Sequence, residues 1–336
     1  MKNIVILTVT SALVLFFSGC SQEISTPNVG AKTVKKAQVR DDVRIFTTQN
    51  SEKITKESIE AAFKANGFMI SGNNDMNQAF KGRFGKKIPT AGTDYSMYRL
   101  MFVYNAKLSA KLIKDYPAFG LLSPLSTSVF SKDGKTINIS SLSIEGMSRI
   151  SGVPVSNPNL IALSNNMTKA LKEALPSGSF KDLNYKIVRP DGEIVTKFKF
   201  VMNNESNNIE ESKETYQEMM EGEIESNGFI VAGFTPINED LESNGIKDFD
   251  FYDTYSICKL EVIYPVHKKY PEVGALAPCT MYMYKKKDEK VTHMAYPSVY
   301  NWVMTTNIED ESSLEPLIDR SEERRVGKEC RSRWSP

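Results

Sequence analysis

The 336-residue sequence is poor in the residues that carry metal or redox chemistry. It has two histidines, His267 and His293, and four cysteines. Four cysteines are too few for a disulfide scaffold, and two histidines leave little material for a histidine-based active site. The motifs of phosphate-binding loops, serine hydrolases, zinc proteases and paired Cys-x-x-Cys sites do not occur. We therefore expect no cofactor and no metal, and the sequence favours a non-catalytic protein over an enzyme.

A long hydrophobic run is also missing, because the apolar stretch near the start is short. Lys2 precedes a mainly apolar run of 14 residues (4–17), which is shorter than a comfortable membrane span. The next residues, "FSGC", resemble the bacterial lipobox, with Phe17 in the usual leucine position. The resemblance implies a signal peptide at 1–19 and a Cys20 that carries lipid, including palmitate, after cleavage.

This leader predicts where the protein resides. We expect a lipoprotein of the bacterial cell envelope that is held on a membrane through lipidated Cys20 and faces the periplasm. Ser21 follows the cysteine. An aspartate there would resemble an inner-membrane retention signal, so the outer membrane is favoured over the inner membrane.

A basic string ends the chain, "RSEERRVGKECRSRWSP" (320–336), with six basic and three acidic residues. Such a charge would suit a tail that binds nucleic acid. All of the string, however, resembles the translation of a common sequencing adapter, so we expect a non-native tail. Without this string and the leader the chain is mildly acidic, and its charge gives no support for nucleic-acid binding.

Two distant stretches of the chain are nearly the same, which indicates an internal duplication. "ANGFMISG" (65–72) returns 161 residues later as "SNGFIVAG" (226–233). "YSMYRLMFVY" (95–104) predicts a strand and matches "YSICKLEVIY" (255–264) at an offset of 160. Farther along, "YPAFGLLSPLSTSVF" matches "YPEVGALAPCTMYMY" at an offset of 154. The matches keep their order, as expected for one domain that was duplicated and fused.

The duplication predicts how the chain is divided. We expect a flexible tether at 20–43, a first repeat at 44–182 and a second repeat at 183–319. The first repeat ends with a predicted helix near 159–175. "IEDESSLEPLID" (308–319) begins the counterpart of that helix, so the second repeat is expected to be truncated at its C-terminus.

The second repeat carries a recognisable family pattern. "GALAPCTMYMYKKKDEKV", which leads into "AYPSV", resembles the family called domain of unknown function 302, and the resemblance covers about 44–175 and 195–319. It implies an α+β fold: two tandem repeats of a curved antiparallel sheet with helices packed on one side, similar in shape to the TATA-binding protein. It implies no established reaction. The Pro-Cys step of the family is present at Cys279, whereas Leu125 takes that place in the first repeat.

Cys258 and Cys279 are the candidate thiols of the folded part. In an oxidising compartment they can form a disulfide, remain two buried thiols, or serve as a reactive or metal-binding group. If their strands are hairpin neighbours, the two lie about six residues apart in register, roughly 20 Å, which is too far for a disulfide. His293 can reach Cys279 across the hairpin, or it can be an ordinary strand histidine. His267 opens a predicted surface helix and is expected to be solvated.

Four tyrosines lie in the matched strands of the second repeat. They can line a ligand cleft or fill the core between sheet and helices, with the core favoured. We expect the activity to be the non-catalytic binding of a small ligand or of an envelope partner, in a cleft between the two domains. The alternative is a thiol-dependent enzyme or metal-binding protein that uses Cys279. The four tyrosines are Tyr255, Tyr264, Tyr282 and Tyr284.

Overall fold

The structure, a computed structural model, describes residues 35–39, 42–49, 51–86, 94–189, 193–202 and 208–308. The expected signal peptide, Cys20 and the basic C-terminal string lie outside the described residues. Within these ranges, no helix combines the length and the hydropathy that a membrane span requires.

The first repeat is built on a six-stranded antiparallel sheet with the strand order β3-β4-β5-β6-β2-β7. Helices connect and flank its strands, which makes the repeat an α+β unit. Its elements are β2 (Val43–Thr48), α1 (Lys56–Ala65), β3 (Met69–Asp75), α2 (Met76–Phe84), β4 (Met97–Tyr104), α3 (Ala106–Asp115), a first 3₁₀ helix (Pro117–Leu122), β5 (Leu125–Ser131), β6 (Ile137–Leu142), α4 (Ile144–Ser151), α5 (Pro158–Ala174) and β7 (Ser179–Phe180).

The second repeat is built on a five-stranded antiparallel sheet with the order β10-β11-β12-β13-β9. Its described part repeats the order of elements of the first repeat as far as α4, so the predicted α+β class and tandem arrangement are confirmed. Its elements are β9 (Val195–Phe200), α6 (Ile209–Ser226), β10 (Ile230–Pro236), α7 (Asn238–Ser243), β11 (Phe249–Cys258), α8 (Leu260–Lys269), a second 3₁₀ helix (Pro271–Ala275), β12 (Cys279–Lys286), β13 (Thr292–Pro297) and α9 (Val299–Thr306).

A small third sheet joins the segment before the first repeat to the segment between the repeats. It consists of β1 (Lys35–Val39) and β8 (Lys186–Arg189), which pair in antiparallel fashion. The expectation of a flexible tether over 20–43 is therefore wrong for residues 35–39, which form a strand. The strand could not be predicted from its own sequence, which is polar and without periodicity, because it pairs with a segment about 150 residues away in the chain.

Local sequence explains the helix that opens each repeat. Thr55 caps α1 through a capping box with Ser58, and the helix buries Ile59, Ala62 and Phe63 along one face. In the second repeat Asn208 caps α6, which buries Met220 and Ile224 at the same spacing. Each helix is followed by a glycine with positive φ, Gly67 at +82° and Gly228 at +78°. The echoed "NGF" of the sequence is thus the stop signal of equivalent helices.

The predicted strand over 255–264 is wrong in its second half. β11 ends at Cys258 and α8 begins at Leu260, so the segment is half strand and half helix. When the two repeats are compared, β11 is equivalent to β4 and α8 to α3, both at an offset of 154 residues. Tyr252 is therefore the counterpart of Tyr98. The tyrosines at 255 and 264 match those at 95 and 104, which led to an incorrect alignment of this segment. A short apolar run is also compatible with either a strand or a buried helix.

The two repeats pack closely against each other through their 3₁₀ helices. A Cβ atom added at Gly120 of the first 3₁₀ helix would lie 2.0 Å from the hydroxyl of Tyr252 on β11. A Cβ atom added at Gly274 of the second 3₁₀ helix would lie 2.5 Å from Ser128 Cβ and 2.6 Å from Leu100 Cδ2. Each 3₁₀ helix therefore lies directly on the sheet of the other repeat, and glycine is needed for that close approach.

Hydroxyl groups form hydrogen bonds across the interface between the repeats in a nearly symmetric arrangement. The Tyr98 hydroxyl donates to the carbonyl of Pro271 at 3.3 Å, and the Tyr252 hydroxyl donates to the carbonyl of Pro117. Backbone carbonyls that would be buried without partners are satisfied in this way across the interface. A second symmetric set consists of Ser126 donating to Pro278 and Thr280 donating to Pro124, each at 3.3 Å.

Candidate functional site

The two halves of this pseudo-symmetric interface differ in polarity. Around the second 3₁₀ helix the side chains are polar or ionisable, whereas around the first 3₁₀ helix the equivalent places are apolar or aromatic. We call the polar set the interface cluster; it consists of Tyr98, Ser128, Ser140, Tyr185, His267 and Glu272. Tyr185 has no counterpart. The counterparts of the other five are Tyr252 for Tyr98, Tyr282 for Ser128, Ala295 for Ser140, Ile113 for His267 and Ala118 for Glu272.

Serine hydroxyls of the first repeat hold the backbone at Glu272. Ser128 Oγ donates to the carbonyl of Pro271 at 2.8 Å. Ser140 Oγ lies 2.6 Å from Ser128 Oγ and 3.2 Å from the carbonyl of Glu272, so its single proton can serve either acceptor. Both serines are completely buried. The start of the second 3₁₀ helix is thereby positioned by buried hydrogen bonds from strands β5 and β6.

The carboxyl group of Glu272 is buried inside the cluster, with 7% of the residue exposed. Tyr185 donates its hydroxyl to Glu272 Oε1. Burial raises the pKa of Glu272, and the hydrogen bond from Tyr185 and the charge of Lys181 oppose the rise. Burial also raises the pKa of Tyr95, Tyr98 and Tyr185, and the charge of Glu272 adds to each rise. Of these three phenol groups, the one of Tyr185 is in direct contact with the carboxyl group.

His267 lies at the inner end of the cluster, with none of its surface exposed. Its Nδ1 is 2.5 Å from the Tyr98 hydroxyl, and its ring packs against Phe80, Tyr98 and Trp302. Among the described residues its Nε2 has no hydrogen-bond partner. Burial lowers the pKa of His267 to about 3, so the imidazole is neutral at pH 7. The expectation of a solvated surface histidine is wrong, because α8 turns His267 onto its buried face.

Acid should destabilise the protein through His267. Since its pKa is about 3 in the folded protein and 6.5 for an unperturbed histidine, its contribution to stability is present above pH 6.5 and is lost as pH falls toward 3. Replacing His267 by glutamine should remove up to one proton of this dependence, about 1.4 kcal/mol per pH unit. Urea unfolding of both proteins at pH values of about 7, 5.5 and 4.5 would measure the change in slope.

The difference in pH dependence between His267→Gln and the unsubstituted protein reports on His267 alone. Glu272, whose pKa is raised, contributes with the opposite sign over part of the same range, but it is present in both proteins and cancels in the difference. An equal pH dependence in His267→Gln and in the unsubstituted protein would contradict a buried neutral imidazole.

The two candidate thiols lie near each other but are not bonded. Cys258 is buried, Cys279 is half-buried, and neither forms a disulfide. Cys279 pairs in register with Ile257, so the expected separation of about six residues is wrong, and the thiols are one position out of register on adjacent strands. Burial, with a smaller effect of Cys279, raises the pKa of Cys258, which makes its thiol a poor nucleophile at neutral pH.

His293 does not reach Cys279. It pairs in register with Tyr284, on which its ring stacks with centroids 4.7 Å apart, and its Nε2 contacts the carboxylate of Glu289. Tyr284 lies five positions along β12 from Cys279, on the order of 17 Å at strand rise. Within the described part of the chain, no three His, Cys, Asp or Glu side chains group in a way that could hold a metal ion.

The four tyrosines proposed for a cleft occupy three separate places. Tyr282 and Tyr284 pack on each other and on Tyr252, with centroid distances of 5.2 to 6.0 Å, on the sheet face toward the first repeat. Tyr255 lies on the opposite face beside Phe234 and receives a hydrogen bond from Gln217. The fourth, Tyr264, projects from α8 against Phe80 and Phe84.

The interface cluster shares only His267 with the residues that the sequence singled out, and the sequence placed that histidine on the surface. The signal for Glu272 was present in the sequence, because the match between "YPAFG" and "YPEVG" already aligns it with Ala118, whereas the signal for His267 needs the same offset to extend back over α8. At the offset of 154, Glu272 stands opposite Ala118 and His267 opposite Ile113. An ionisable residue in one copy and an apolar residue in the other mark Glu272 within that match, and they mark His267 once α8 is aligned with α3.

Comparison with known proteins found a solved structure and a family model that are similar to this chain. A solved structure described as "Crystal structure of uncharacterized conserved protein DUF302 from Bacillus stearothermophilus" is similar at 14% identity and a TM-score of 0.33. The similarity covers 39% of this chain and 97% of that chain. No curated protein matches the sequence. The family model described as "Domain of unknown function DUF302" matches residues 45–175 and again 205–324, and the chain therefore belongs to that family, with two copies in tandem.

Proposed function

We propose that this protein is a lipid-anchored protein of the bacterial envelope that binds a small ligand at the interface cluster without transforming it. The proposal combines the predicted signal peptide, which precedes Cys20, with the difference in polarity between the two halves of the interface. The proposed binding site lies between the repeats, beside the second 3₁₀ helix.

The single observation that carries the binding proposal is Glu272 in the place of Ala118. The first 3₁₀ helix shows that an alanine suits this position, so packing alone does not require a carboxylic acid there. Burying an ionisable group costs free energy unless it is paired and hydrogen-bonded. Glu272 is buried all the same, and buried serines form hydrogen bonds to the backbone carbonyls of Pro271 and Glu272. A carboxyl group that is expensive to bury and well positioned is typical of a site that recognises a ligand.

Binding is favoured over thiol chemistry by the positions of the cysteines. Cys258 is buried with a raised pKa, and His293 is too far from Cys279 to activate it. The neutral imidazole of His267 is enclosed by aromatic rings, with its Nδ1 already engaged by Tyr98. The cluster is thus suited to hold and orient a polar molecule.

Native mass spectrometry tests the proposal directly. The soluble protein from Ser21 onward would be produced in a bacterial periplasm and compared with Glu272→Ala. We expect a bound mass that is released on denaturation and is absent from the variant. The control is Glu225→Ala, which removes an exposed carboxylate on α6 and should retain the mass. A bare protein, or a mass kept by Glu272→Ala, would refute a ligand at the cluster, and a bare protein that retains an envelope protein on purification would favour partner binding.

The anchor has its own test. Replacing Cys20 by alanine should move the protein from the membrane fraction to the soluble fraction and abolish labelling with palmitate, because the thioether lipid needs the thiol. Equal membrane association of both forms would contradict lipidation at this residue.

The basic string after residue 319 is part of the same proposal. We infer that residues 320–336 are translated adapter, although the family match extends to residue 324. Resequencing the 3′ end of the gene decides the point, since the same codons in genomic DNA would make the string native.

A further inference from the structure

Methionine side chains lie together between the second sheet and α6. Met283 on β12 stands directly opposite Met294 on β13, and Met281 precedes Met283 by two residues, so all three lie on the same face of the sheet. Met220 of α6 packs in the same apolar cluster as Met281, which shows that α6 covers this face. We call these four residues the methionine cluster.

The first repeat has no methionine at the equivalent places. On its strands β5 and β6 the counterparts are β-branched residues, which strands generally favour. The fold of the repeat therefore does not require a thioether at any of these positions, and the second repeat has exchanged all four. The counterparts are Ile59 for Met220, Thr127 for Met281, Val129 for Met283 and Ile139 for Met294.

The strand register brings three of the sulfur atoms within reach of one point. Directly opposite residues of an antiparallel pair have Cβ atoms about 5 Å apart, and every second residue of a strand is roughly 7 Å along. Methionine is unbranched and has rotatable bonds up to its sulfur, so Met281, Met283 and Met294 can converge. Met294 packs against both the apolar cluster that contains Met281 and the one that contains Met283.

The cluster is shielded from water on the inside and reaches the surface on one side. Met281 is 3% exposed and Met283 is fully buried, whereas Met294 is half-buried. A small ion could therefore enter along Met294 and be held by sulfur atoms in an apolar environment.

A buried carboxyl group lies beside the cluster. Asp253 on β11 pairs in register with Met283 and is 2% exposed, and Gln217 of α6 donates to its Oδ2 at 3.0 Å. Burial raises the pKa of Asp253 to about 6, and the charge of Lys213 opposes the rise, so the group is mainly ionised at pH 7. The first repeat has Arg99 in this place. A negative charge next to apolar sulfur atoms favours a cation there.

We propose that Met281, Met283 and Met294 bind one Cu(I) ion. Thioethers are soft ligands that select Cu(I), whereas zinc prefers nitrogen, thiolate and carboxylate ligands and calcium and magnesium prefer oxygen. Thioethers are also neutral, so the single positive charge of the ion is offset by Asp253. The sequence expectation of no metal rests on the shortage of histidine and cysteine, and methionine provides the ligands instead.

The copper site is separate from the interface cluster. It lies on the α6 side of the second sheet, whereas Tyr282 and Tyr284 of the same strand face the first repeat. Glu272→Ala should therefore leave Cu(I) binding unchanged. The two proposals can thus fail independently of each other.

Anaerobic competition with the indicator bicinchoninate tests the copper site. The soluble protein described for native mass spectrometry would carry alanine at all of its cysteines, so that no thiol competes for the ion. We expect each chain to withdraw one Cu(I) from the indicator. The cysteine substitutions are Cys258→Ala, Cys279→Ala and Cys330→Ala.

Single substitutions then identify the ligands. Met281→Leu and Met294→Leu should each weaken Cu(I) binding by at least tenfold, because each removes one of three ligands and nearly conserves side-chain volume. Met101→Leu is the matched control, since Met101 is a fully buried methionine of the first repeat, and it should bind Cu(I) as before. Circular dichroism without copper should be the same for all of these proteins.

The results divide cleanly. No uptake of Cu(I), or unchanged affinity in both Met281→Leu and Met294→Leu, would overturn the proposal and leave the methionines as packing residues. X-ray absorption at the copper edge should show sulfur neighbours only. Nitrogen or oxygen neighbours in their place would put the ion at another site and would equally contradict the proposal.

Discussion

Gly274→Ala should destabilise the protein by about 3 kcal/mol, since overpacking a closed interface is costly. The new Cβ would meet Ser128 Cβ at 2.5 Å and Leu100 Cδ2 at 2.6 Å, and both atoms belong to strands in the centre of the first sheet. Neither strand can move away without breaking its ladder on both sides. Urea unfolding followed by circular dichroism would measure the loss.

Two further glycines make the result specific. Gly120→Ala should cost a similar amount, because its Cβ would lie 2.0 Å from the Tyr252 hydroxyl. Gly222→Ala is the control, since it lies on α6 with nothing within 4 Å, and it should stabilise the protein by about 0.5–1 kcal/mol. If Gly274→Ala and Gly222→Ala changed stability in the same direction, the two repeats would not pack as described.

Arg149→Met should be the other large loss, about 3–5 kcal/mol, because it leaves a buried carboxylate unpaired. Arg149 Nε lies 2.6 Å from Asp42 Oδ2, and Asp42 has none of its surface exposed. The same guanidinium donates to Asn301 at 3.0 Å and to Thr305, both on α9. Arg149 thus joins α4 of the first repeat to the equivalent helix of the second. Urea unfolding of the variant would measure the loss.

An exposed ion pair between the repeats provides the control. Arg83 on α2 and Glu261 on α8 lie 2.6 Å apart, but the Arg83 side chain is 53% exposed. Arg83→Met should therefore change stability by at most about 1 kcal/mol. The double variant Asp42→Asn, Arg149→Met should recover part of the loss, since it removes the unpaired charge. Equal effects of Arg83→Met and Arg149→Met would show that burial does not distinguish the two pairs.

The tandem duplication and the helix starts and stops could be predicted from the sequence because their signals are local. A cap, an apolar stripe and an Asn-Gly stop lie within about twenty residues, and they recur in order. The boundary between β11 and α8 could not be predicted in this way. Residues 255–264 have tyrosines at the same spacing as residues 95–104, which include β4. The end of the strand is decided by its pairing with β12, which stops at Ile257, and by the start of α8 at Leu260.

By itself, the sequence determined that this chain is a duplicated α+β protein of its family, with a leader that resembles that of a lipoprotein. Tertiary structure alone decided that His267 is buried against Tyr98, that the Pro271 carbonyl accepts from Ser128, and that the Glu272 carbonyl accepts from Ser140 of the other repeat. Each of these contacts joins residues more than 130 positions apart. Their environment, and hence their pKa, arises only when two repeats bring unlike residues to equivalent places.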